Sequence, residues 1–365
     1  MAKITKQSEN FSKWYTDVIL DADLADYGPV KGTMVVKPYG FSLWTHIRDS
    51  LNEMIEESGH ENAYFPLFIP KSFLEKEAKH VEGFAKECAV VTHSKLISED
   101  GSLTVDPDSK LEEEIIVRPT SETIIWHMFK KWITSYRDLP LKVNQWANVV
   151  RWEMRTRLFL RTSEFLWQEG HTAHATKEEA MEETLQIVEI YRTLFEDYLA
   201  IPTIVGRKSN LERFAGADET FSIETMMRDK KALQAGTSHY LGTNFGNAFN
   251  VKFQSKDNKE HPVYATSWGV STRMVGALIM VHGDDKGLKI PPKIAPIQVV
   301  IIPINPKNEK SKEFSSFVTN LEEKLSNLNI RTHVDQLDES PGFKFNKWEL
   351  KGVPLRIEIG LKELE

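Results

Sequence analysis

The chain has 365 residues, more than one domain usually holds, so the sequence predicts two domains that each bury a core. A formal net charge of -7 argues against a protein that coats nucleic acid by bulk charge, so a nucleic-acid partner would need a local basic patch. The single cysteine, Cys88, excludes an internal disulfide and cannot by itself form a thiolate zinc site. No signal peptide and no apolar run of membrane-spanning length occurs, so we expect a soluble, cytoplasmic protein without a membrane partner.

The amino-terminal part predicts two helices and a strand that contains a proline. Residues 9–22 have the pattern of a short amphipathic helix, and apolar residues recur at helical spacing along Ser42–Ser58. The strand-like run Asn62–Ile69 contains Pro66, which lacks a ladder donor, so we place this strand at a sheet edge or in a bulge. A helix followed by an edge strand can serve as core or as a two-fold interface, and the pattern alone favours core.

A buried strand that runs into a proline introduces the first candidate binding residues. Ile115–Val117 leads to Pro119, and a helix follows. Thr120 and Ser121 could simply cap that helix. Capping explains Glu122 less well, because a carboxylate on the loop at a strand's end is equally placed to bind an ammonium group.

Two strand-like runs in the middle of the chain, Trp146–Glu153 and Phe159–His171, predict an antiparallel hairpin. Four arginines lie within eleven residues there, among aromatic rings and few carboxylates: Arg151, Arg155, Arg157 and Arg161, with Trp152, Phe159, Phe165 and Trp167. Guanidinium forks beside aromatic faces suit a ligand that has both phosphates and a flat base. A solvated hairpin with incidental charges is the alternative interpretation.

Beyond the hairpin, a Thr-x-x-Glu box predicts a long helix from Thr176 to Leu199. The glycine-bearing strand Tyr264–Thr272 then delivers Arg273 to the start of an apolar helix, where phosphate would bind.

After the proline-bearing segment Lys289–Lys293 the pattern changes to parallel α/β, so we expect one domain at residues 1–289 and a second at 290–365. The elements predicted there are strands at Ile297–Ile304, Ile330–Val334 and Leu355–Ile359 and helices at Asn308–Leu328 and Phe343–Leu350.

Four sequence blocks resemble one enzyme family. They are RPTSET at Arg118–Thr123, FLRTSEFLWQEGH at Phe159–His171, GTSHYLG at Gly236–Gly242 and SWGVSTR at Ser267–Arg273. In this order they resemble the prolyl-tRNA synthetases of the eukaryotic and archaeal type, within the class II aminoacyl-tRNA synthetases. The match covers nearly the whole chain. It implies an α+β fold, with an antiparallel-sheet catalytic domain followed by a small, incomplete α/β anticodon-binding domain, and we expect a carboxyl-terminal portion to be missing.

The resemblance implies that the chain activates L-proline with ATP to prolyl-adenylate and transfers the prolyl group to tRNA(Pro). The catalytic residues would be Arg151, bridging the proline carboxylate and the α-phosphate, and Arg273, at the far phosphates. The proline site would comprise Thr120, Glu122, Arg151, Phe165, Trp167 and His239. The ATP site would comprise Arg151, Glu153, Arg161, Thr162, Gln234, Thr237, Thr272 and Arg273. Mg²⁺ would be held mostly by phosphates and water, with Gln234 beside it.

The resemblance also implies a homodimer built on the helix and strand around Pro66. His171 and His174 show a metal-like spacing without a third ligand, so we interpret them as structural or site-lining and expect no zinc in this chain. Thr162 and Thr237 lie 75 positions apart, and the elements predicted between them fill that interval, so we expect no internal editing domain.

Two other readings of the motifs stay open. A synthetase specific for threonine, serine, glycine or histidine would share the three class II motifs but would differ at Thr120, Glu122 and His239. A non-enzymatic synthetase-like regulator would keep the fold and lose a motif arginine, whereas both Arg151 and Arg273 are present here.

Overall fold

The computed structural model describes residues 4–76, 88–304 and 311–364. Numbered in chain order along these residues, the strands are β1 (Ala25–Tyr27), β2 (Met34–Val36), β3 (Glu61–Asn62), β4 (Phe68–Pro70), β5 (Ala89–His93), β6 (Leu96–Glu99), β7 (Ser102–Val105), β8 (Lys110–Val117), β9 (Leu141–Val150), β10 (Glu164–His174), β11 (Ile204–Arg207), β12 (Glu219–Met226), β13 (Ala232–Gly242), β14 (Lys252–Gln254), β15 (Glu260–Pro262), β16 (Tyr264–Ser271), β17 (Val299–Pro303), β18 (Thr332–Val334) and β19 (Leu355–Ile359). The helices, numbered in the same way, are α1 (Phe11–Asp21), α2 (Pro38–Glu57), α3 (Lys71–Lys76), α4 (Glu122–Trp132), α5 (Lys177–Thr193), α6 (Asn244–Ala248), α7 (Arg273–His282), α8 (Ser311–Asn327) and α9 (Pro341–Leu350).

A seven-stranded sheet in the order β11-β12-β13-β16-β10-β9-β3 forms the centre of the fold. Its first six strands pair antiparallel, and β3 pairs parallel with β9 at one edge. This sheet is the antiparallel sheet that the sequence predicted. The predicted central hairpin is confirmed as the β9–β10 pair, although both strands begin and end farther from the turn than predicted, because residues 151–163 form a long connecting loop.

The main hydrophobic core lies where helices pack on the central sheet. Helices α1, α2, α5 and α7 contribute fully buried side chains to it, among them Trp14, Leu43, Ile187 and Met274. The predicted capping box at the start of α5 is confirmed, with the Thr176 hydroxyl accepting from the backbone N–H of Glu179 at 3.2 Å. No helix among the described residues is long and apolar enough to cross a membrane.

The prediction of one strand over Asn62–Ile69 was wrong. Residues 61–62 pair with β9 in the central sheet, whereas β4 pairs with β8 in a separate sheet, and Pro66 lies in the extended segment between them. Pairing with β9 ends with the hydrogen bond from the Ala63 N–H to the Asn144 carbonyl, and Pro66, which has no N–H to donate, lies in the part of the chain that pairs with neither sheet. In this unpaired part of the chain, the Phe65 carbonyl accepts at 2.7 Å from the guanidinium of the fully buried Arg118.

The carboxyl-terminal part is a parallel three-stranded sheet in the order β18-β17-β19, with α8 and α9 joining the strands. This confirms the predicted parallel α/β pattern. Strand β19 has the predicted bounds, and α8 begins at Ser311, so the predicted helix residues 308–310 lie outside the described residues. The boundary at residue 289 stays a prediction.

The contact between Gly170 and Trp268 allows a test of how packing at the centre of the sheet contributes to stability. These residues face each other across β10 and β16, and a Cβ on Gly170 would overlap the Trp268 ring. We expect Gly170→Ala to lower the free energy of unfolding by about 1–3 kcal/mol through overpacking, measured by chemical denaturation. The control is Gly206→Ala in the edge strand β11, where a Cβ meets no atom within 4 Å. Equal stability of the two variants would contradict the packing argument.

Candidate active site

The floor of a cavity of about 200 Å³ is built by three neighbouring strands, β10, β16 and β13. Strand pairing aligns two rows of residues across them. One row runs Glu169, Gly269, Thr237, and the next runs His171, Ser267, His239. Because Gly269 has no side chain, the middle of the first row is left open between a carboxylate and a hydroxyl.

A bulge in β13 brings Gln234 to the same cavity. Gly236 pairs with Ile223, but Gln234 pairs with the next residue, Glu224, so Ala235 is the extra residue on this strand. Three positions separate Gln234 from Thr237, and in a regular strand that spacing would put them on opposite faces. Both line the cavity, and the Gln234 side-chain oxygen accepts from the Lys208 ammonium.

Thr120 and Glu122 form one wall of this cavity. The Thr120 hydroxyl donates to the Glu122 carboxylate, and both residues are buried. Ser121 occupies the N-cap position of α4 but makes no side-chain cap; its hydroxyl accepts instead from Gln145 at 3.2 Å. The capping interpretation of Thr120 and Ser121 was therefore wrong, and a carboxylate stands at the positive amino-terminal end of a helix.

Arg151 follows directly after β9 and lies against the aromatic rings of β10. Its Nε donates to the Pro119 carbonyl at 2.8 Å, and its guanidinium carbon lies 5.6 Å from the Phe165 ring centre and 5.4 Å from that of Trp167. Burial lowers the pKa of Arg151, and the carboxylates of Glu122, Glu169 and Glu153 oppose that shift. The site thus keeps a fixed cation among carboxylates that its charge stabilises.

A second, smaller cavity of about 110 Å³ adjoins the first and shares Arg151, Phe165, Ser271 and Arg273 with it. Its other lining residues include Glu153, Arg161, Thr162 and Thr272. Arg161 Nε lies 3.6 Å from Glu153 Oε1.

Burial lowers the pKa of Arg273, and the nearby positive charges of Arg161 and Arg151 lower it further. Three guanidinium groups that repel one another mark a place for a polyanion.

The two cavities contain every residue that the sequence predicted for the site. Residues for the proline site line the first cavity: Thr120, Glu122, Arg151, Phe165, Trp167 and His239. Residues for the ATP site are divided between the cavities: Gln234 and Thr237 in the first, Glu153, Arg161, Thr162 and Thr272 in the second, and Arg151 and Arg273 in both.

The sequence reasoning missed Glu169, Phe214 and Ser267, which also line the first cavity. Glu169 was recoverable, because Phe165, Trp167, Glu169 and His171 follow one another at the strand period of two and so share a face. Ser267 carried no comparable signal, since only the pairing of β16 with its neighbours brings it to the floor.

Glu169 is held in a buried polar network. Its carboxylate accepts from Gln145 at 2.8 Å and lies 3.2 Å from His171 Nε2. Burial by itself raises the pKa of Glu169, but His171 and the hydrogen bonds from Ser121 and Gln145 outweigh burial and hold the pKa below its ordinary value. A buried carboxylate thus stays ionised at the floor of the cavity.

The two histidines with metal-like spacing have separate surroundings. His171 lines the first cavity, whereas His174 Nε2 pairs with the Thr172 hydroxyl at 2.7 Å, and burial lowers its pKa to about 4. His239 packs against the Phe214 ring at 4.7 Å between centres. Burial, together with the charges of Lys208 and His171, lowers the pKa of His239 to about 3, so it presents a neutral ring to the cavity.

Comparison with known proteins finds two matching families. Residues 104–282 match the class II tRNA synthetase core domain for the G, H, P, S and T enzymes, and residues 298–365 match an anticodon-binding domain. Proline-tRNA ligase of Flavobacterium johnsoniae is 58% identical across 99% of this chain and 74% of its own length. The enzymes of the same name from Azobacteroides pseudotrichonymphae and Bacteroides fragilis are 57% and 59% identical, covering 74% and 73% of their own lengths.

The lowered pKa of Glu169 predicts a pH-dependent contribution to stability. A carboxylate whose folded-state pKa lies below its ordinary value of 4.5 stabilises the protein above that pH, and the contribution is lost as the pH falls through the folded-state pKa. We expect Glu169→Gln to cost about 1–3 kcal/mol at pH 7. The difference from wild type should shrink below pH 4.5, measured by denaturant unfolding at several pH values.

The matched control for this prediction is Glu189→Gln, because Arg192 holds the pKa of Glu189 below its ordinary value in the same direction on an exposed helix face. An exposed pair contributes only up to about 1 kcal/mol. A difference for Glu169→Gln that does not change with pH would show that charge is not what stabilises this network.

Proposed function

The chain belongs to the proline-tRNA ligases, which are class II aminoacyl-tRNA synthetases, and from this we propose that its two joined cavities bind proline and ATP side by side and form prolyl-adenylate. One observation carries the proposal: Arg151 lines both cavities, with the carboxylate of Glu122 on one side and the Arg161–Glu153 pair on the other. A guanidinium at the junction can hold a carboxylate and a phosphate at once.

In this proposal the first cavity is the proline site. The secondary ammonium group of proline binds Thr120 and Glu122, where a buried carboxylate can neutralise it. Phe165, Trp167 and His239 enclose the ring, and the neutral state of His239 suits an apolar ligand surface. The walls are therefore apolar except at the points that receive the ammonium and carboxylate groups.

The ATP site, in this proposal, spans the second cavity and the adjoining end of the first. Glu153 accepts from the adenine amino group, Arg161 and Thr162 hold the triphosphate and the adenine side, and Arg273 binds the far phosphates. Gln234 and Thr237 lie by the ribose, and Thr272 contacts the nucleotide. Burial, and then the repulsion from Arg161 and Arg151, lowers the pKa of Arg273, and triphosphate binding offsets that repulsion.

The reaction needs no protein nucleophile. A carboxylate oxygen of proline forms a bond to the α-phosphorus of ATP, the bond from that phosphorus to the bridging oxygen breaks, and pyrophosphate leaves with the electron pair. A ribose hydroxyl of tRNA(Pro) then attacks the prolyl carbonyl, and AMP leaves. Arg151 and Arg273 contribute by positioning the reactants and stabilising the negative charge that develops on phosphate oxygens.

Class II synthetases use ATP generally with Mg²⁺, and the donors in this chain fit an ion held mainly by phosphates and water. Gln234 would offer its amide oxygen, a hard ligand of the kind that Mg²⁺ prefers, in place of the hydrogen bond that this oxygen accepts from the Lys208 ammonium. When bound, the ion neutralises phosphate charge. We propose that His171 and His174 do not bind zinc, since they pair with Glu169 and Thr172 respectively.

We also propose the architecture of the eukaryotic and archaeal type, although the relatives named above are bacterial. The interval between Thr162 and Thr237 is occupied by β10, α5, β11, β12 and the first part of β13, which supports the proposal that no editing domain is inserted there. The proposal includes a catalytic domain at residues 1–289 and an anticodon-binding domain from 290.

A homodimer built on α2 and the segment around Pro66, in the cytoplasm, completes the proposal. Phe41 and Tyr64 in this region expose 46% and 72% of their surface. Apolar side chains exposed next to a sheet edge suit a two-fold interface. Light scattering at micromolar concentration should give twice the chain mass, and an active monomer would refute the dimer.

The proposed function is tested by ATP–pyrophosphate exchange with each of the twenty amino acids, in which proline should support the fastest exchange. Arg151→Lys should reduce proline-dependent exchange roughly 10² to 10³-fold, because a point ammonium cannot replace a fork that contacts two substrates. Exposed Arg207→Lys on β11 is the matched control and should not change the rate. An Arg151→Lys rate within about twofold of wild type would make Arg151 structural.

A synthetase without an editing domain, as we propose here, should have limited accuracy in its choice of amino acid. A pocket sized for a five-membered ring excludes larger side chains, but each missing methylene discriminates by only about 1–3 kcal/mol, so alanine and cysteine should be activated slowly. The chain should not hydrolyse preformed alanyl-tRNA(Pro). Release of alanine faster than in a protein-free control would reveal an editing site.

A further inference from the structure

The loop that carries the proposed ATP residues has little regular structure of its own. Residues 151–163 connect β9 to β10 and include Glu153, Arg161 and Thr162. Phe159 in this loop has a left-handed backbone with φ of 61°, and Arg157 and Arg161 close a tight turn by pairing their backbones. Such a loop needs contacts from elsewhere to keep its arginine side chains in one place.

Those contacts come from the amino-terminal part of the chain. The Tyr15 hydroxyl donates to the Leu158 carbonyl at 2.7 Å, and the Arg157 guanidinium lies 4.6 Å from the Tyr15 ring centre. From the β1–β2 hairpin, the Met34 sulfur accepts from the Phe159 N–H at 3.3 Å.

At the tip of the same hairpin, the Gly32 carbonyl accepts from the Ser163 N–H at 2.8 Å. Contacts from α1 and the β1–β2 hairpin thus hold four residues of the loop: Arg157, Leu158, Phe159 and Ser163.

The contact at Gly32 leaves no space for a larger residue unless the loop shifts. Gly32 has φ of 88°, and a Cβ there would overlap the Ser163 hydroxyl oxygen and lie 2.8 Å from the Thr156 methyl carbon. The hairpin tip therefore lies directly on the loop backbone, at the point where the loop enters β10. Moving the tip outward by the width of a methyl group would move the residues next to Ser163, among them Thr162 and Arg161.

The base of the hairpin is itself anchored. The Lys37 N–H donates to the Leu24 carbonyl at 2.9 Å, and the Asp23 carboxylate binds the ammonium groups of Lys37 and, at 3.2 Å, of Lys351 from α9's carboxyl-terminal end. The hydrogen bond from Lys37, followed by that from Lys351, lowers the pKa of Asp23. The Tyr39 hydroxyl donates to the Lys351 carbonyl at 2.9 Å. Because the base of the hairpin is fixed, its tip has a fixed position and can hold the loop that it contacts.

We propose that the β1–β2 hairpin, through Gly32 and Met34, and Tyr15 of α1 form a positioning element for ATP that holds the 151–163 loop in the conformation that binds the nucleotide. The inference rests on the proposed function of that loop. Thr120, Glu122 and His239 lie on other elements and touch none of these contacts. Arg151 serves both sites and donates its backbone N–H to the Ser163 carbonyl, but its side chain is also held by the Pro119 carbonyl outside the loop. Disturbing the hairpin tip should therefore weaken ATP binding much more than proline binding.

The test compares two glycine variants that differ in what a methyl group meets. Gly32→Ala places a Cβ against the loop, whereas Gly101→Ala, in the exposed β6–β7 turn, has a similar φ of 79° and no atom within 4 Å. We expect Gly32→Ala to raise the KM for ATP in exchange roughly tenfold, which is the effect of losing about one good contact. The KM for proline should stay within twofold, and Gly101→Ala should change neither constant.

Two measurements make the result independent of exchange. The dissociation constant of ATP, measured by equilibrium dialysis without proline, should rise in Gly32→Ala. Trypsin should cut the loop faster in this variant at Arg155, whose side chain is exposed, and ATP should protect less. If Gly32→Ala fails to fold, Tyr15→Phe and Met34→Leu remove one loop contact each at nearly constant volume, and each should shift the ATP constant in the same direction.

The outcomes separate the inference from the function beneath it. If the wild-type protein shows no proline-dependent exchange, the proposed function is refuted. The dissociation constant of ATP and the rate of trypsin cleavage would still decide the role of the hairpin. Equal rises in both KM values, or a lower melting temperature with unchanged ATP affinity, would make the contacts merely structural and overturn the inference.

Discussion

Trp268 packs its indole ring on the bare backbone of Gly170, and this contact lies across the pairing of β10 with β16 on which the site depends. The ring also meets His60 edge to face at 5.0 Å. With these partners the pairing has one register, because a slip of one residue would turn every side chain to the opposite face. The same register sets Gly269 between Glu169 and Thr237, and Ser267 between His171 and His239. Packing on one face of the sheet thereby specifies the shape of the cavity on the other.

The charges around the two cavities differ, so each cavity favours a different charged group of a ligand. Around Arg151, buried carboxylates support the cation, and the hydrogen-bonded pair of Thr120 and Glu122 gives a zwitterion's ammonium group a place to bind. Around Arg273, burial and the repulsion from neighbouring guanidinium groups lower its pKa. Proline and a triphosphate satisfy these opposite needs in neighbouring spaces, which is why Arg151 at the junction has the central role in the proposed reaction. A site of this kind works by placing charge in advance rather than by forming a covalent intermediate.

The amino-terminal segment links these charges to the rest of the molecule. It contacts the loop of Arg161 at one end and, through Asp23, the end of α9 in the carboxyl-terminal α/β part at the other. Individually these contacts are ordinary hydrogen bonds and ion pairs, each contributing about 1 kcal/mol. Together they restrict a long, irregular loop that has few bonds of its own. The proposed ATP site is accordingly the product of three stretches far apart in sequence.

The sequence by itself determined the elements with a clear period and the residue types of the chemistry. The capping box of α5, the β9–β10 hairpin, the parallel carboxyl-terminal sheet and the arginines of the site were all readable from it. Only the tertiary structure decided which strands meet. The bulge at Ala235 turns Gln234 toward Thr237, the unpaired stretch between Asn62 and Phe68 divides one predicted strand between two sheets, and β16 carries Ser267 to the cavity floor. Periodicity reports which face of an element is buried, whereas bulges, register and the partner of each strand are set by side-chain packing between residues that are distant in the chain.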